Sequence, residues 1–266
     1  MMNPAGSPVL EQADLRASLA AYLLALADDE LILGHRHSEW TGLAPDIESD
    51  VALSSVAQEE LGHARLFYER ACDLRGGTPD TLAYGRSAGE FRNAVLVERP
   101  NGDWAFTIVR MFLYDRADAV RLEALAAGPV APLAQLAAAL RREEKYHLLY
   151  GEQWLRRLAG ATPESRGRVQ KALEAAWPGA EALFEPVEGQ DVLTAAGVMA
   201  IGSEDQRRRW RAQVTPVLES AGLRVPAHPG EHRPEPNGRA GGHTADLQLL
   251  LEEMTSVWRS EPGVRW

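Results

Sequence analysis

The sequence predicts an all-α fold, a four-helix bundle with additional C-terminal helices, and three observations predict it. Apolar residues recur at three- and four-residue spacings over four long stretches within the first 158 residues. Strand-like alternation with β-branched runs is scarce. The connections between the four stretches are short, long and short, and the long one is the crossover that ferritin-like bundles carry between their second and third helices.

Taken in order, the first helix is expected from about Ala13 to His37, with Leu19, Leu23, Ala27 and Gly34 on one stripe, stopping before the Gly42–Pro45 turn. The second starts after Pro45, where Asp46, Glu48 and Asp50 suit a positive helix N-terminus, and ends at Gly76-Gly77. Residues 78–102 form the long connection, with a short helix around Ala88–Arg92. The Pro100-Asn101-Gly102 turn launches the third helix, about Asp103 to Ala126. The fourth runs from about Pro132 to Leu158 and stops at Gly160. Thr162-Pro163-Glu164 begins another helix to about Trp177, and a shorter one covers Ser203–Ala221. The Pro/Gly-rich stretch 225–243 reads as an extended or mobile surface loop, followed by a last helix from near Thr244 to about Arg259. The expectation is one domain over 1–266, with a tail at 1–12, the bundle core at 13–158 and C-terminal helices at 159–266.

Charge and cysteine usage exclude several functions. There are 38 acids against 28 bases, a formal charge of -10, which argues against a dedicated nucleic-acid binder. The single Cys72 excludes an intrachain disulfide framework and any Cys-rich metal site. A metal would therefore be held by carboxylates and histidines. The most apolar run, LEALAAGPVAPLAQLAAAL, is broken by Gly128, Pro129 and Pro132 and cannot span a bilayer. No signal-like start is visible, so a soluble, cytoplasmic protein without membrane contact is expected.

Polar residues interrupt the apolar stripes where the core should be. On the second helix, Ala52, Val56, Glu60, His63 and Phe67 share one face; on the fourth, Leu136, Leu140, Glu144, His147, Gly151 and Trp154 do the same. Glu30 lies between Ala27 and Gly34 on the first helix, and Asp115 between Phe112 and Leu122 on the third. With 25 Glu and seven His, about 0.7 Glu-x-x-His pairs arise by chance, so the signal is their frame: one pair midway along each of two long helices and one carboxylate midway along each of the others. Glu30 precedes Glu60 by 30 residues and Asp115 precedes Glu144 by 29, which suits two hairpins whose polar residues meet at one level. Four carboxylates balance two divalent cations, and oxygen ligands with two imidazoles suit two iron or manganese ions.

Other assignments compete. Glu59 and Glu143 adjoin Glu60 and Glu144, so a small rotation could exchange which acid faces inward. Asp118 rivals Asp115, with Glu123 a weaker candidate, and Asp28 and Asp29 adjoin Glu30. The cluster could also be a metal-free network of carboxylates, histidines and arginines. His35, His37, His228, His232 and His243 are expected on solvated surface, and the tryptophans in the core or an interface.

The runs LILGHRHSEWTGLAPDIESDVALSSVAQEELGHARLFYE, LVERPNGDWAFTIVRMFLYD, EEKYHLLYGEQWLRRLAG and GGHTADLQLLLEEM resemble the PaaC-like small ferritin-like subunits of the bacterial ring 1,2-phenylacetyl-CoA epoxidase. Glu39-Trp40, Val97-Glu98-x-Pro100-Asn101-Gly102 and Gly241-Gly242-His243-Thr244 make the resemblance specific. It implies an accessory subunit of a monooxygenase that adds one atom of dioxygen across the aromatic ring of phenylacetyl-CoA. It further implies a larger di-iron catalytic partner, an NADPH-dependent flavin and iron–sulfur reductase, and a homo- or hetero-oligomer. Structural subunits of that kind commonly lack part of the ligand set, whereas Glu30, Glu60, His63, Asp115, Glu144 and His147 fill all six matching positions here. A metal-loaded oxygenase or oxidase in its own right is the alternative.

Overall fold

Four long helices carry the molecule, and the starts of two of them follow from side-chain caps. The computed structural model describes residues 12–227 and 236–261, so nearly all of the expected N-terminal tail lies outside the described residues. Helix α1 spans Ala13–Ser38 and α2 spans Ile47–Arg75, whose N-cap Asp46 accepts a hydrogen bond from the Ser49 amide at 2.8 Å. Helix α5 spans Trp104–Ala126, capped by Asp103 on the Phe106 amide at 2.9 Å, and α6 spans Ala131–Ala161. Helices α1 and α2 pack as one hairpin and α5 and α6 as another. Gly34 permits the first pairing to be close, since a Cβ there would lie 3.2 Å from the Ala57 carbonyl oxygen.

The crossover from residue 76 to 103 is more structured than a single short helix. It contains α3 (Pro79–Tyr84), a 3₁₀ turn at Ala88–Glu90 and α4 (Val95–Glu98). After the bundle come α7 (Pro163–Glu181), α8 (Gln190–Ala195) and α9 (Ser203–Ser220). Helix α7 lies against α5 and α6, and α9 against α5. The helix expected to stop at Trp177 continues through Pro178. Proline removes the one amide there that would meet the Glu174 carbonyl; separately, the Arg99 guanidinium donates to the Ala175 carbonyl at 2.8 Å. The expected last helix is two, α10 (Ala245–Met254) and α11 (Ser256–Ser260), parted at Thr255. Among the described residues there is no strand, and no helix is long and apolar enough to cross a membrane.

The stretch 225–243 departs from a surface loop. Residues 228–235, His228 and His232 among them, lie outside the described residues, but Gly238 and Arg239 are buried in a 3₁₀ turn. Arg239 reaches the buried Asp29 on α1 at 2.7 Å, and Asp29 also takes Arg121 of α5 at 2.7 Å and the Ala94 amide at 2.7 Å. Gly241 turns the chain with φ of 84°, a conformation few side chains tolerate, and a Cβ there would lie 2.6 Å from the Gly89 carbonyl oxygen.

The three short motifs that carry the resemblance meet in one hydrogen-bonded knot at the C-terminal end of α1. Buried Glu98 accepts from His243 Nδ1 (2.7 Å), the Thr244 amide (2.7 Å), the Thr244 hydroxyl (2.8 Å) and Asn93 (3.0 Å). Arg36 donates to the Glu98 carbonyl at 2.7 Å and to Glu39 at 2.6 Å, while Asn101 donates to the Arg36 carbonyl at 2.6 Å and to Glu39 at 2.8 Å. His243 is thus a structural residue held inside the knot, contrary to the surface expectation. The knot fixes α1's last turn, and with it the direction of the next residue, His37.

Candidate metal centre

All six residues singled out by the stripes are buried: Glu30 on α1, Glu60 and His63 on α2, Asp115 on α5, Glu144 and His147 on α6. His63 Nδ1 lies 3.3 Å from Glu144 Oε1 and 3.7 Å from Glu30 Oε2, and His147 Nδ1 lies 3.2 Å from Glu144 Oε1. Glu30, His63 and Glu144 each present a ligand atom within 4.8 Å of the other two. The two imidazoles lie 6.2 Å apart, centre to centre, with 29° between their planes. Helix α6 can bring this face against α5 because Gly151 stands beside Asp115, where an added Cβ would lie 3.6 Å from Asp115 Oδ2.

Second partners fix how these side chains point. The Tyr114 hydroxyl donates to Glu30 Oε1 at 2.7 Å. The two histidines are held crosswise: His63 Nε2 meets Glu143 of α6 at 2.9 Å, and His147 Nε2 meets Glu59 of α2 at 2.7 Å. Glu143 and Glu59 are 54% and 44% exposed, so they stand between the buried cluster and solvent. The neighbouring-acid alternative therefore resolves by geometry. Glu60 and Glu144 face inward, while Glu59 and Glu143 reach over the helix–helix seam to the opposite ring.

Asp118 of α5 and the other buried acids of α1 turn elsewhere. Asp118 accepts from Arg121 at 3.1 Å, leaving Asp115 as the α5 carboxylate with an unpartnered buried oxygen. Asp28 takes the Tyr68 hydroxyl at 2.6 Å, Arg86 at 3.0 Å and the Arg92 amide at 2.7 Å. Glu123 pairs with Arg209 at the surface, 3.3 Å away.

One side chain of the buried cluster falls outside the expected set. His37 is fully buried and its Nδ1 lies 2.8 Å from Glu60 Oε2, so it is no surface residue. Its position was readable in principle, because 27, 30, 34 and 37 continue one helical stripe. Burial, reinforced by Arg110 and His147, pushes His37 well below the usual imidazole range. The neutral ring's Nδ1 then shares a hydrogen bond with the Glu60 carboxyl group.

Electrostatics show how strongly this cluster wants cations. Burial, and then Glu30, drives Glu60 well above the usual carboxylate range; burial and Glu144 do the same to Asp115. Burial alone would depress the two histidines. Glu144 and Glu30 reverse this for His63, pushed up to about 12, and Glu144, Asp115 and Glu60 reverse it for His147, pushed up to about 11. Glu144, despite burial, is held down to about 2 by His147 and His63. In this state two imidazolium rings supply the positive charge. Even so, Glu30 Oε2, Glu60 Oε1, Asp115 Oδ2 and His63 Nδ1 are buried without a hydrogen-bond partner. Orphaned oxygens and a ring nitrogen from α1, α2 and α5, aimed at one interior level, are the donor set that a pair of hard divalent cations takes. The residues fit the group.

Comparison with known proteins adds three findings. A sequence profile of the family described as phenylacetic acid catabolic protein (PaaA_PaaC) matches residues 7–266. The chain is 36% identical over 249 residues to the C-type component of 1,2-phenylacetyl-CoA epoxidase from Escherichia coli (strain K12), covering 93% of this chain and 99% of that protein. It is 23% identical over 205 residues to the A-type component of the same epoxidase, covering 72% of this chain and 66% of that one.

Proposed function

The chain belongs to the phenylacetic acid catabolic protein family, and from that we propose that it is one subunit of a phenylacetyl-CoA epoxidase, packed beside a larger catalytic subunit of the same family. The observation that carries this reading is the similarity to the C-type component along nearly the full length of both proteins. The surface supports it. Ile47 and Val51, one turn apart on α2, are 79% and 63% exposed, Leu43 in the preceding turn is 71% exposed, and Tyr146 and Leu149 are exposed on α6. These exposed apolar side chains are the candidates for a partner surface. Co-expression with the larger subunit yields a stable hetero-oligomer on size-exclusion chromatography; independent migration of the two chains overturns the assignment.

A second reading stands on the orphaned ligand atoms: this protein itself holds two divalent metals, iron or manganese. Glu30, Glu60, His63, Asp115, Glu144 and His147 would hold them, each histidine through the Nδ1 that faces the cluster. Iron held there would supply the reduction of dioxygen, with reducing equivalents from a separate flavin and iron–sulfur reductase. The chain's own residues do the positioning. Tyr114 fixes one Glu30 oxygen and frees the other, His37 does the same for Glu60, and Glu143 and Glu59 accept from the two Nε2 atoms so that Nδ1 stays inward. Mn(II) raises the melting temperature of the wild-type protein and leaves that of Glu144→Ala unchanged. An equal shift in both places the metal elsewhere.

A further inference from the structure

The buried cluster lies between two hairpins, and the two seams where the hairpins meet are closed very differently. The seam between α1 and α5 is shut by buried side chains. The Tyr114 hydroxyl crosses it to Glu30 at 2.7 Å, and Arg121 crosses it to Asp29 at 2.7 Å. Outside it, α8 packs on α1 and α9 on α5. The bundle end where α1 stops and α5 starts is filled by aromatic rings. Trp40 meets Trp104 edge to face at 4.9 Å between centres, and Trp104 meets Trp154 at 5.4 Å.

The seam between α2 and α6 is open by comparison. The two helices approach each other far less extensively than the helices within either hairpin. Its outer face is solvated, since Glu59 and Gly62 on α2 and Glu143 and Tyr146 on α6 are all exposed. Beside the cluster it is spanned by two carboxylates, Glu143 on His63 Nε2 at 2.9 Å and Glu59 on His147 Nε2 at 2.7 Å. Each carboxylate is about half in water, while the ring it holds is at most 2% exposed. Among the described residues, neither pairs with a lysine or arginine that would pin it in place. Gly62 follows Glu59 on the same face of α2, and no atom stands within 4 Å of where its Cβ would be. On the inner side of the rings are the unpartnered, buried Glu30 Oε2, Glu60 Oε1, Asp115 Oδ2 and His63 Nδ1.

We propose that the α2–α6 seam is the port through which divalent cations reach the cluster, with Glu59 and Glu143 as the capture ligands. The inference rests on the reading that this chain holds metal; it adds the route and the residues that serve it. Two solvated carboxylates on facing helices draw a hydrated cation to the seam and offer it hard oxygen ligands. An exposed glutamate changes rotamer readily, so each turns outward to take the ion and leaves its ring free to swing aside. Turning back restores the hydrogen bond at Nε2 and returns Nδ1 to the cluster. Gly62 keeps the space beside His63 clear for the passage.

Stopped-flow loading of the chelator-treated full chain with Co(II), followed by its visible absorption, tests this, with release read on mixing with excess chelator. The double variant Glu59→Gln, Glu143→Gln keeps an acceptor for each ring and removes the charge. It loads about tenfold or more slowly than the wild type, and added salt slows the wild type far more than the variant. Gly62→Leu, whose Cβ meets no atom of the fold, slows loading and release alike and so keeps the wild-type affinity. Glu164→Gln with Glu174→Gln removes the same charge from α7 and loads at the wild-type rate. If the two acids only orient the rings, their double variant loads at the wild-type rate and releases faster, and Gly62→Leu changes neither rate. That result, or equal slowing in the α7 variant, overturns the port and leaves the metal centre standing. Wild-type protein that takes up no Co(II) at equilibrium removes the metal reading and the port with it.

Discussion

At the scale of single residues, the cluster is a charge problem with two solutions. Glu30, Glu60, Asp115 and Glu144 sit in an apolar interior, and either protons or metals must offset them. Without metal, His63 and His147 are held protonated, and Glu60 and Asp115 keep their protons beyond the usual range. The folded state therefore binds more protons than the unfolded one above about pH 6.5, the unfolded histidine value. Its stability falls as pH rises from there toward the folded values of about 11 and 12, by up to about 1.4 kcal/mol per pH unit for each proton held. Metal displaces these protons, so added Mn(II) flattens the decline. Urea denaturation of chelator-treated protein between pH 6 and 10 checks this, and a stability that rises with pH contradicts it. His37 belongs to the same scale: His37→Ala, which frees the Glu60 carboxylate, lowers metal affinity about 10–100-fold in chelator competition, and His37→Gln retains most of it. The six inward residues were legible because stripe register is a local property. Two features went unread although the sequence carries them: His37, seven residues beyond Glu30, and the repeated Glu-Glu-x-x-His whose first acids cross to the opposite ring.

At the scale of elements, α1 does three jobs with three consecutive acids. Asp28 binds Tyr68, Arg86 and the Arg92 amide, Asp29 binds Arg121, Arg239 and the Ala94 amide, and Glu30 faces the buried carboxylate–histidine cluster. Such a run can be buried only because the crossover and the segment 236–243 wrap the outside of α1. Removing Asp29 leaves the buried Arg239 guanidinium without its carboxylate and Arg121 with Asp118 alone, so Asp29→Ala destabilises by about 3–5 kcal/mol. Denaturant unfolding checks it; a change below about 1 kcal/mol means the network contributes little. Caps and glycines made the long helices readable, as Asp46, Asp103 and Thr162 each hold an amide of the first turn. The wrapping was not readable, since Arg239 and Asp29 are 210 residues apart and only the assembled fold pairs them. For the same reason 225–243 looked like a loop: proline and glycine signal a turn but not what the turn packs against.

At the scale of the whole molecule, two long hairpins close on a polar centre, α7 and α9 buttress α5, and Ile47 and Val51 stay exposed on α2. Ile47→Asp with Val51→Asp weakens assembly with the larger subunit without lowering the melting temperature. Assembly at wild-type strength moves the interface to another face. The family relationship rests on chain-wide similarity, and the knot around Arg36 and Glu98 gives its short motifs a physical reason. The metal set is what separates a purely structural role from one with chemistry of its own. The most direct test is metal analysis of the full chain purified anaerobically from iron-replete cells. About two iron ions per chain are expected, the number that six such ligands from four helices hold, and they are lost in His147→Ala. Metal-free wild-type protein under those conditions would contradict a metal centre in this bundle.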